Sequence, residues 1–134
     1  MIARLLLPLL VLTAVGPTAA AASVTVKQGE TWIFAVERGQ PVRARRVQPN
    51  AAAKAGEIKA SLRTMLGTNL TISSQGKVAY TYRAELLDRS GRATATRAST
   101  LPAGGKPTFE YWREAAVAVR LSDFKAATTD GSCP

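Results

Sequence analysis

The sequence contains no histidine and a single cysteine, Cys133, next to the last residue. Histidine is the commonest general base, the usual partner of a catalytic nucleophile and the commonest neutral metal ligand. The absence of histidine argues against most hydrolase mechanisms and most zinc sites. A single cysteine is also too few for a zinc site built from thiolates. We therefore expect a protein that is not an enzyme, with no catalytic residues, no metal site and no cofactor.

Cys133 has no partner for an intrachain disulfide, so the stability of the fold has to come from an apolar core. An odd cysteine in an exported chain can link two chains, and Cys133 is a candidate for an intermolecular disulfide. The alternative, which we favour, is an exposed thiol on a flexible tail over residues 127–134.

Long apolar runs are also scarce, and the one present is at the N-terminus. Arg4 precedes an apolar run from Leu5 to Val15, and small residues follow up to Ala22. This arrangement is typical of a secretory signal peptide, and the run is shorter than the ~20 residues of a membrane-spanning helix. We predict a cleavable signal peptide over residues 1–22, no transmembrane segment after cleavage, and a periplasmic or extracellular location.

Acidic residues are few, with 9 Asp and Glu against 18 Lys and Arg, and the formal net charge is +9. Such a surplus attracts nucleic acid, anionic lipid and acidic glycan without selecting among them, and it also keeps a small protein soluble. We expect a protein or an anionic envelope polymer as the partner, and no specific nucleic acid.

The clearest pattern that the sequence does contain is a strand from Val78 to Asp88, in which apolar and polar residues alternate. A shift of pairing by one residue would bury Arg83 and Glu85, so the register is well specified. The inward positions would be Val78, Tyr80, Tyr82, Ala84 and Leu86.

Alternation, together with the turn signals between segments, predicts strands over residues 31–37, 42–48, 70–73, 92–100, 108–112 and 115–121. The first of these would place Trp32, Phe34 and Val36 inward. Residues 57–66 fit both a helical face and a strand, and we favour a strand because the neighbouring segments are strands. In the last strand the inward positions would be Ala115, Val117, Val119 and Leu121.

These elements predict an all-β fold, an antiparallel immunoglobulin-like β-sandwich of about seven to eight short strands over residues 23–126. Glycine and proline punctuate the strands, as they do in such sandwiches. A small barrel is the alternative.

Arg43, Arg45 and Arg46 form the densest basic cluster and are the best candidates for binding an anionic partner. The planar guanidinium group pairs bidentately with phosphate, sulfate or carboxylate. The competing interpretation, which we favour, is that charges on an edge strand keep sheets from docking edge to edge. Pro41, at the start of this strand, is also most easily accommodated at an edge.

Glu110 and Glu114 bracket Trp112, and two carboxylates beside an aromatic ring suggest carbohydrate chemistry. Charged residues at strand ends around a tryptophan packed on the core are far more common. A glycan-active enzyme using these carboxylates is therefore the least favoured hypothesis.

The sequence thus predicts a small exported, non-enzymatic binding or interaction protein of the cell envelope that acts through loops or a sheet face. The inference from such a fold to such a role is analogy. The alternative is an electrostatic binder of an anionic envelope polymer or lipid surface through Arg43, Arg45 and Arg46.

Overall fold

A computed structural model describes residues 22–127 and shows two antiparallel β-sheets, with no helix in this range. None of the described residues therefore forms a helix long and apolar enough to cross a membrane. The predicted signal peptide lies almost wholly outside the described residues, as does nearly all of the predicted tail with Cys133. The strands are β1 (Val24–Lys27), β2 (Thr31–Glu37), β3 (Gln40–Val47), β4 (Glu57–Thr64), β5 (Thr68–Ser74), β6 (Tyr80–Leu87), β7 (Ala93–Thr96), β8 (Thr108–Trp112) and β9 (Ala118–Ala126).

The nine strands form a four-stranded sheet of order β1-β9-β6-β7 and a five-stranded sheet of order β3-β2-β4-β5-β8. The arrangement is sandwich-like, and it confirms the all-β prediction and the choice of a strand for residues 57–66. The described range holds more strands than the seven or eight predicted. One of them, β1, is a four-residue strand that the sequence interpretation did not include.

The core lies between the two sheets and is centred on Phe124 of β9. Its ring stacks on Tyr82 of β6, with centroids 5.5 Å apart, and meets the edge of Phe34 of β2 at the same centroid distance. Tyr80 adds a further edge-on contact at 6.1 Å. Aromatic rings bury large apolar areas and add favourable ring contacts, so this cluster joins the sheets.

Two β-bulges change which side chains face the core. In β9 the pairing with β6 shifts around Asp123, which has a φ of 53°, and the shift turns Phe124 inward after Val119 and Leu121. In β3 the pairing with β2 shifts around Arg43, which has a φ of 51°. A bulge inserts one extra residue and so reverses the alternation beyond it.

Several predicted burial assignments are wrong at the beginnings of strands, because the strands begin later than the alternation indicated. Val78 is exposed because β6 begins only at Tyr80, and Ala115 is exposed because β9 begins only at Ala118. Val117, predicted inward, is half-buried, whereas its neighbour Ala118 is buried. The predictions for Phe34, Tyr82, Ala84, Leu86, Val119 and Leu121 are confirmed, while Trp32, Val36 and Tyr80 pack on the core with part of their surface exposed.

Candidate functional site

Four large apolar side chains lie exposed at one edge of the five-stranded sheet. Phe109 and Tyr111 project from β8 with 74% and 55% of their surface exposed. Met65 and Leu66, in the turn between β4 and β5, are 72% and 97% exposed. We call these four residues the aromatic edge. Clustered exposed apolar residues are typical of interaction surfaces, whereas single ones need no explanation.

The face of β8 that carries the two rings follows from strand alternation. Trp112 and the partners of β8 in the core, Leu70 and Ile72, are buried. Phe109 and Tyr111 instead pair with Thr71 and Asn69, which are half-buried on the opposite face. Successive side chains of a strand point to opposite faces, so both rings lie on the outer face of the sheet.

Hydrogen bonds hold the β4–β5 turn against β8. The Tyr111 hydroxyl donates to the carbonyl oxygen of Leu66 at 2.7 Å. The Asn69 side-chain amide donates to the carbonyl oxygen of Met65 at 3.2 Å. Both apolar turn residues are therefore displayed by a fixed backbone, which lowers the entropy cost of binding through them.

Gly67 makes this close approach feasible. Its φ is 133°, and a Cβ atom there would lie 2.6 Å from the Trp112 carbonyl oxygen and 2.8 Å from a ring carbon of Tyr111. No side chain fits at those distances, so a substitution at this position has to displace the turn or the ring. Glycine thus sets the geometry of the aromatic edge.

The inner side of β8 is anchored to the segment before it. The Trp112 indole nitrogen donates to the Arg97 carbonyl oxygen at 3.2 Å, and the Ser99 backbone nitrogen donates to the Glu110 carboxylate at 2.6 Å. At the end of β8, the buried Thr68 hydroxyl donates to the Glu114 carbonyl oxygen at 2.7 Å. The side chains on the inner face of β8 are therefore held by hydrogen bonds, while the outer face of β8 remains exposed.

The outer face continues from the aromatic edge into a polar groove of about 280 Å³. Ser61 and Thr71 pair with each other in register, and Thr71 pairs in turn with Phe109. The Lys59 ammonium group at the groove is bound by the carbonyl oxygens of Pro49 and Ala51, each at 2.7 Å. The groove is lined by Pro49, Lys59, Ser61, Arg63, Thr71 and Ser73.

The predicted basic cluster lies on β3, the opposite edge of the same sheet, as the position of Pro41 suggested. The structure brings each of its arginines to a different carboxylate, so the local charge is balanced pair by pair. The pairs are Arg43 with Glu37 at 2.8 Å, Arg45 with Glu57 at 2.7 Å and Arg46 with Glu30 at 3.2 Å.

The pair of Arg45 and Glu57 is bidentate, with a second contact of 3.2 Å. Hydrogen bonding to Arg45, with a further bond from the Lys54 backbone nitrogen, lowers the pKa of Glu57 from 4.5 to about 2. The carboxylate of this pair is 16% exposed and the guanidinium 44%. The pairing keeps Glu57 ionised well into the acid range.

The structure does not gather Glu110 and Glu114 into one cavity. The Glu110 carboxylate is bound by the backbone of Ser99, as described above. Glu114 instead lines a separate small cavity with Asp88 and Arg92, which Glu110 does not reach. Within the described residues, no group of three or more His, Cys, Asp or Glu side chains is placed to hold a metal ion.

Sequence reasoning missed the aromatic edge for identifiable reasons. In residues 108–112, Phe109 and Tyr111 lie on one face of the strand and Trp112 lies on the other. Because both faces carry aromatic residues, the pattern does not indicate which face packs on the core. Met65 and Leu66 both fit the apolar face of a helix, and Leu66 also fits the inward face of a longer strand. The Gly67-Thr68-Asn69 turn signal, which directly follows them, was the available clue that the strand ends there.

A comparison of the chain with known proteins found no matching family model, no similar curated protein and no similar solved structure. Function therefore has to be inferred from the geometry of the chain itself.

Proposed function

We propose that this chain is an exported, non-enzymatic interaction protein of the cell envelope that binds a macromolecule through the aromatic edge. The observation that carries the proposal is the clustering of four exposed apolar side chains on one fixed strand and turn. Aromatic side chains on rigid elements dominate the binding energy of protein interfaces. Export rests on the sequence pattern of residues 1–22.

Two finer features stay predictions: the cleavable signal peptide and an immunoglobulin-like connectivity of the sandwich. The electrostatic alternative, through Arg43, Arg45 and Arg46, receives less support from the structure. Each of these arginines is already paired with a carboxylate, and an anionic ligand would have to compete with that pairing.

The proposal is tested with the purified exported chain immobilised and exposed to solubilised envelope extract of the host. We expect the double variant Phe109→Ser, Leu66→Ser to lose at least about tenfold in captured partner, because central apolar anchors contribute about 2 kcal/mol or more. The folded state should persist, since surface substitutions change the free energy of unfolding by only about 0.5 kcal/mol.

Val78→Ser provides the matched control, because Val78 is another exposed apolar residue, 43% exposed, outside the aromatic edge. Capture that is equal for the double variant and for wild type would contradict the proposal. Capture that disappears in moderate salt and depends on Arg43, Arg45 and Arg46 would favour the electrostatic alternative.

A further inference from the structure

We propose that the aromatic edge receives an extended, acidic segment of a partner protein, which adds to the five-stranded sheet as a strand beside β8. This inference rests on the function proposed above and names the chemistry of the partner. It follows from three features of β8: its open backbone, its outward rings and the arginines around it.

The first feature is the backbone of β8. It is the last strand of its sheet, and no other strand of residues 22–127 pairs with its far side. Its pairing with β5 runs without a register shift from Thr108 to Trp112, and none of its five residues is proline, glycine, lysine or arginine. Proline, bulges and lysine, three of the devices that normally stop a strand from pairing further, are thus missing from β8.

The second feature is the position of the outward side chains. A strand added in register places its alternate side chains about 5 Å from Phe109 and Tyr111, within contact distance of both rings. Main-chain hydrogen bonds then supply affinity, and the apolar pockets between alternate side chains supply selectivity. Five residues of β8 correspond to a bound segment of about 17 Å.

The third feature is the charge around β8. Three exposed arginines, far apart in the sequence, lie around this strand, two of them next to Trp112 and Arg63 two strands away in the same sheet. None of them forms an ion pair within the described residues. Arg63 pairs with Asn69, the register partner of Tyr111. The Arg97 backbone bonds the side chain of Trp112, and Arg113 directly follows Trp112.

No carboxylate of residues 22–127 forms an ion pair with these three arginines. Glu30, Glu37, Glu57 and Glu85 are all occupied by arginines elsewhere, and the Glu110 carboxylate is bound by the Ser99 nitrogen. Glu114 is the exposed carboxylate that follows β8. A second copy of this chain would bring a second set of arginines to the same edge, and like charges oppose each other. An acidic partner segment complements the site instead.

The test uses the full exported chain and a fluorescent eight-residue peptide of repeating Val-Val-Glu-Glu, so that each face of the extended peptide carries both valine and glutamate. A second peptide has lysine in place of glutamate. Two further acidic peptides carry N-methyl groups on every second backbone nitrogen. In one peptide the methyl groups block one edge of the extended chain, and in the other they block the opposite edge. Binding is measured by fluorescence anisotropy, and the amide protons of Thr108–Trp112 are followed by hydrogen exchange.

We expect the acidic peptide to bind about tenfold more tightly than the lysine peptide, since three exposed ion pairs together supply roughly that factor. The difference should shrink in about 1 M salt, where the Debye length is about 3 Å. One N-methylated peptide should fail to bind and the other should bind normally, because a strand uses only one edge to pair. Amide protons of β8 should exchange more slowly in the complex.

The triple variant Arg63→Gln, Arg97→Gln, Arg113→Gln should remove most of the preference for the acidic peptide. Its control makes the same charge change at three exposed residues in other connections: Arg38→Gln, Lys54→Gln, Lys77→Gln.

The inference is overturned if the acidic and the lysine peptides bind with equal affinity. It is also overturned if both N-methylated peptides bind, or if no acidic peptide binds. It is also overturned if heparin protects β8 where the peptide does not, or if the chain dimerises through β8. The proposed function would survive these results provided that capture from envelope extract still depends on Phe109.

Discussion

The two edges of the five-stranded sheet, β3 and β8, solve the problem of an exposed strand in opposite ways. β3 carries Pro41, a bulge at Arg43 and three arginines that are each paired with a glutamate. β8 is regular and presents two exposed rings. Proline, bulges and charges are the usual protection of an edge strand against further pairing. The difference shows that β3 is more strongly protected against further pairing than β8, as the proposed binding through β8 requires.

The edges also differ in how they are joined to the other sheet. Beside β3, the Gly39 carbonyl oxygen accepts a hydrogen bond from the Phe124 nitrogen of β9 at 3.0 Å, so the β2–β3 turn is tied to the opposite sheet at the core aromatic cluster. Beside β8, the buried Thr68 hydroxyl bridges to the connection that leads into β9. Losing either link should be more costly than altering the exposed residues.

The largest expected effect is that of Phe124→Ala, which removes the ring between the sheets. We expect the free energy of unfolding to fall by about 3–5 kcal/mol, as for other buried phenylalanines. Phe109→Ala makes the same chemical change on the open edge and should cost no more than about 0.5 kcal/mol. Urea denaturation of both variants checks the contrast, and equal losses would show that Phe109 is part of the core.

Thr68→Val should lower the free energy of unfolding by about 1–3 kcal/mol, because it keeps the shape of the side chain but leaves buried backbone groups without their partners. The hydroxyl donates to Glu114 and accepts from the Ala116 nitrogen at 2.9 Å. Thr71→Val, on the outer face of the same strand, is the control, with an expected change of about 0.5 kcal/mol or less. Similar losses for the two valine variants would contradict this role of Thr68.

Arg43→Ser with Arg45→Ser should remove the protection of β3 and increase self-association, measured by light scattering as a function of concentration. Heparin retention should fall no further than in the control Arg38→Ser with Lys77→Ser, which loses the same charge from connecting turns. A selective loss of heparin binding, without self-association, would instead support an anion site at these arginines.

A small pH effect should distinguish the paired edge from the open one. The pKa of Glu57 is lowered in the folded state, so its ionised form stabilises the fold above the unfolded pKa near 4.5. That contribution is lost as the pH falls towards about 2. Glu57→Gln should reduce the decrease of the urea midpoint between about pH 5 and pH 2, because it removes this titration.

Glu114→Gln is the matched control beside β8, since Glu114 is exposed and forms no ion pair among residues 22–127. It provides the reference curve for the loss of one carboxylate that has no arginine partner. Identical curves for wild type and Glu57→Gln would show that the pair with Arg45 does not hold in solution.

The sequence was sufficient where alternation was unbroken. It predicted that Tyr82, Ala84 and Leu86 are buried, that residues 57–66 contain a strand and that the strand beginning near Pro41 lies at an edge. It did not extend to Phe124, which enters the core because a bulge at Asp123 reverses the alternation. A bulge depends on how two strands pair, and the local pattern of one strand does not encode it.

The candidate site was less predictable than the fold. Arg43, Arg45 and Arg46 stand out in the sequence because they are neighbours along the chain, yet the glutamates that pair with them come from other segments. Arg63, Arg97 and Arg113 attract no attention in the sequence because at least fifteen residues lie between each and the next. The pairing of β4 with β5 and of β5 with β8 places Arg63 on the same face as the two rings, and the hydrogen bond from Trp112 to the Arg97 carbonyl oxygen brings Arg97 next to β8.

The sequence by itself determined the all-β class, the period-two faces of the regular strands and the surplus of positive charge, because these depend on residue type and local spacing. Tertiary structure alone decided which arginines are neutralised, which apolar side chains remain exposed and which sheet edge is open. Those properties arise from contacts between segments far apart in the chain, and strand register fixes them.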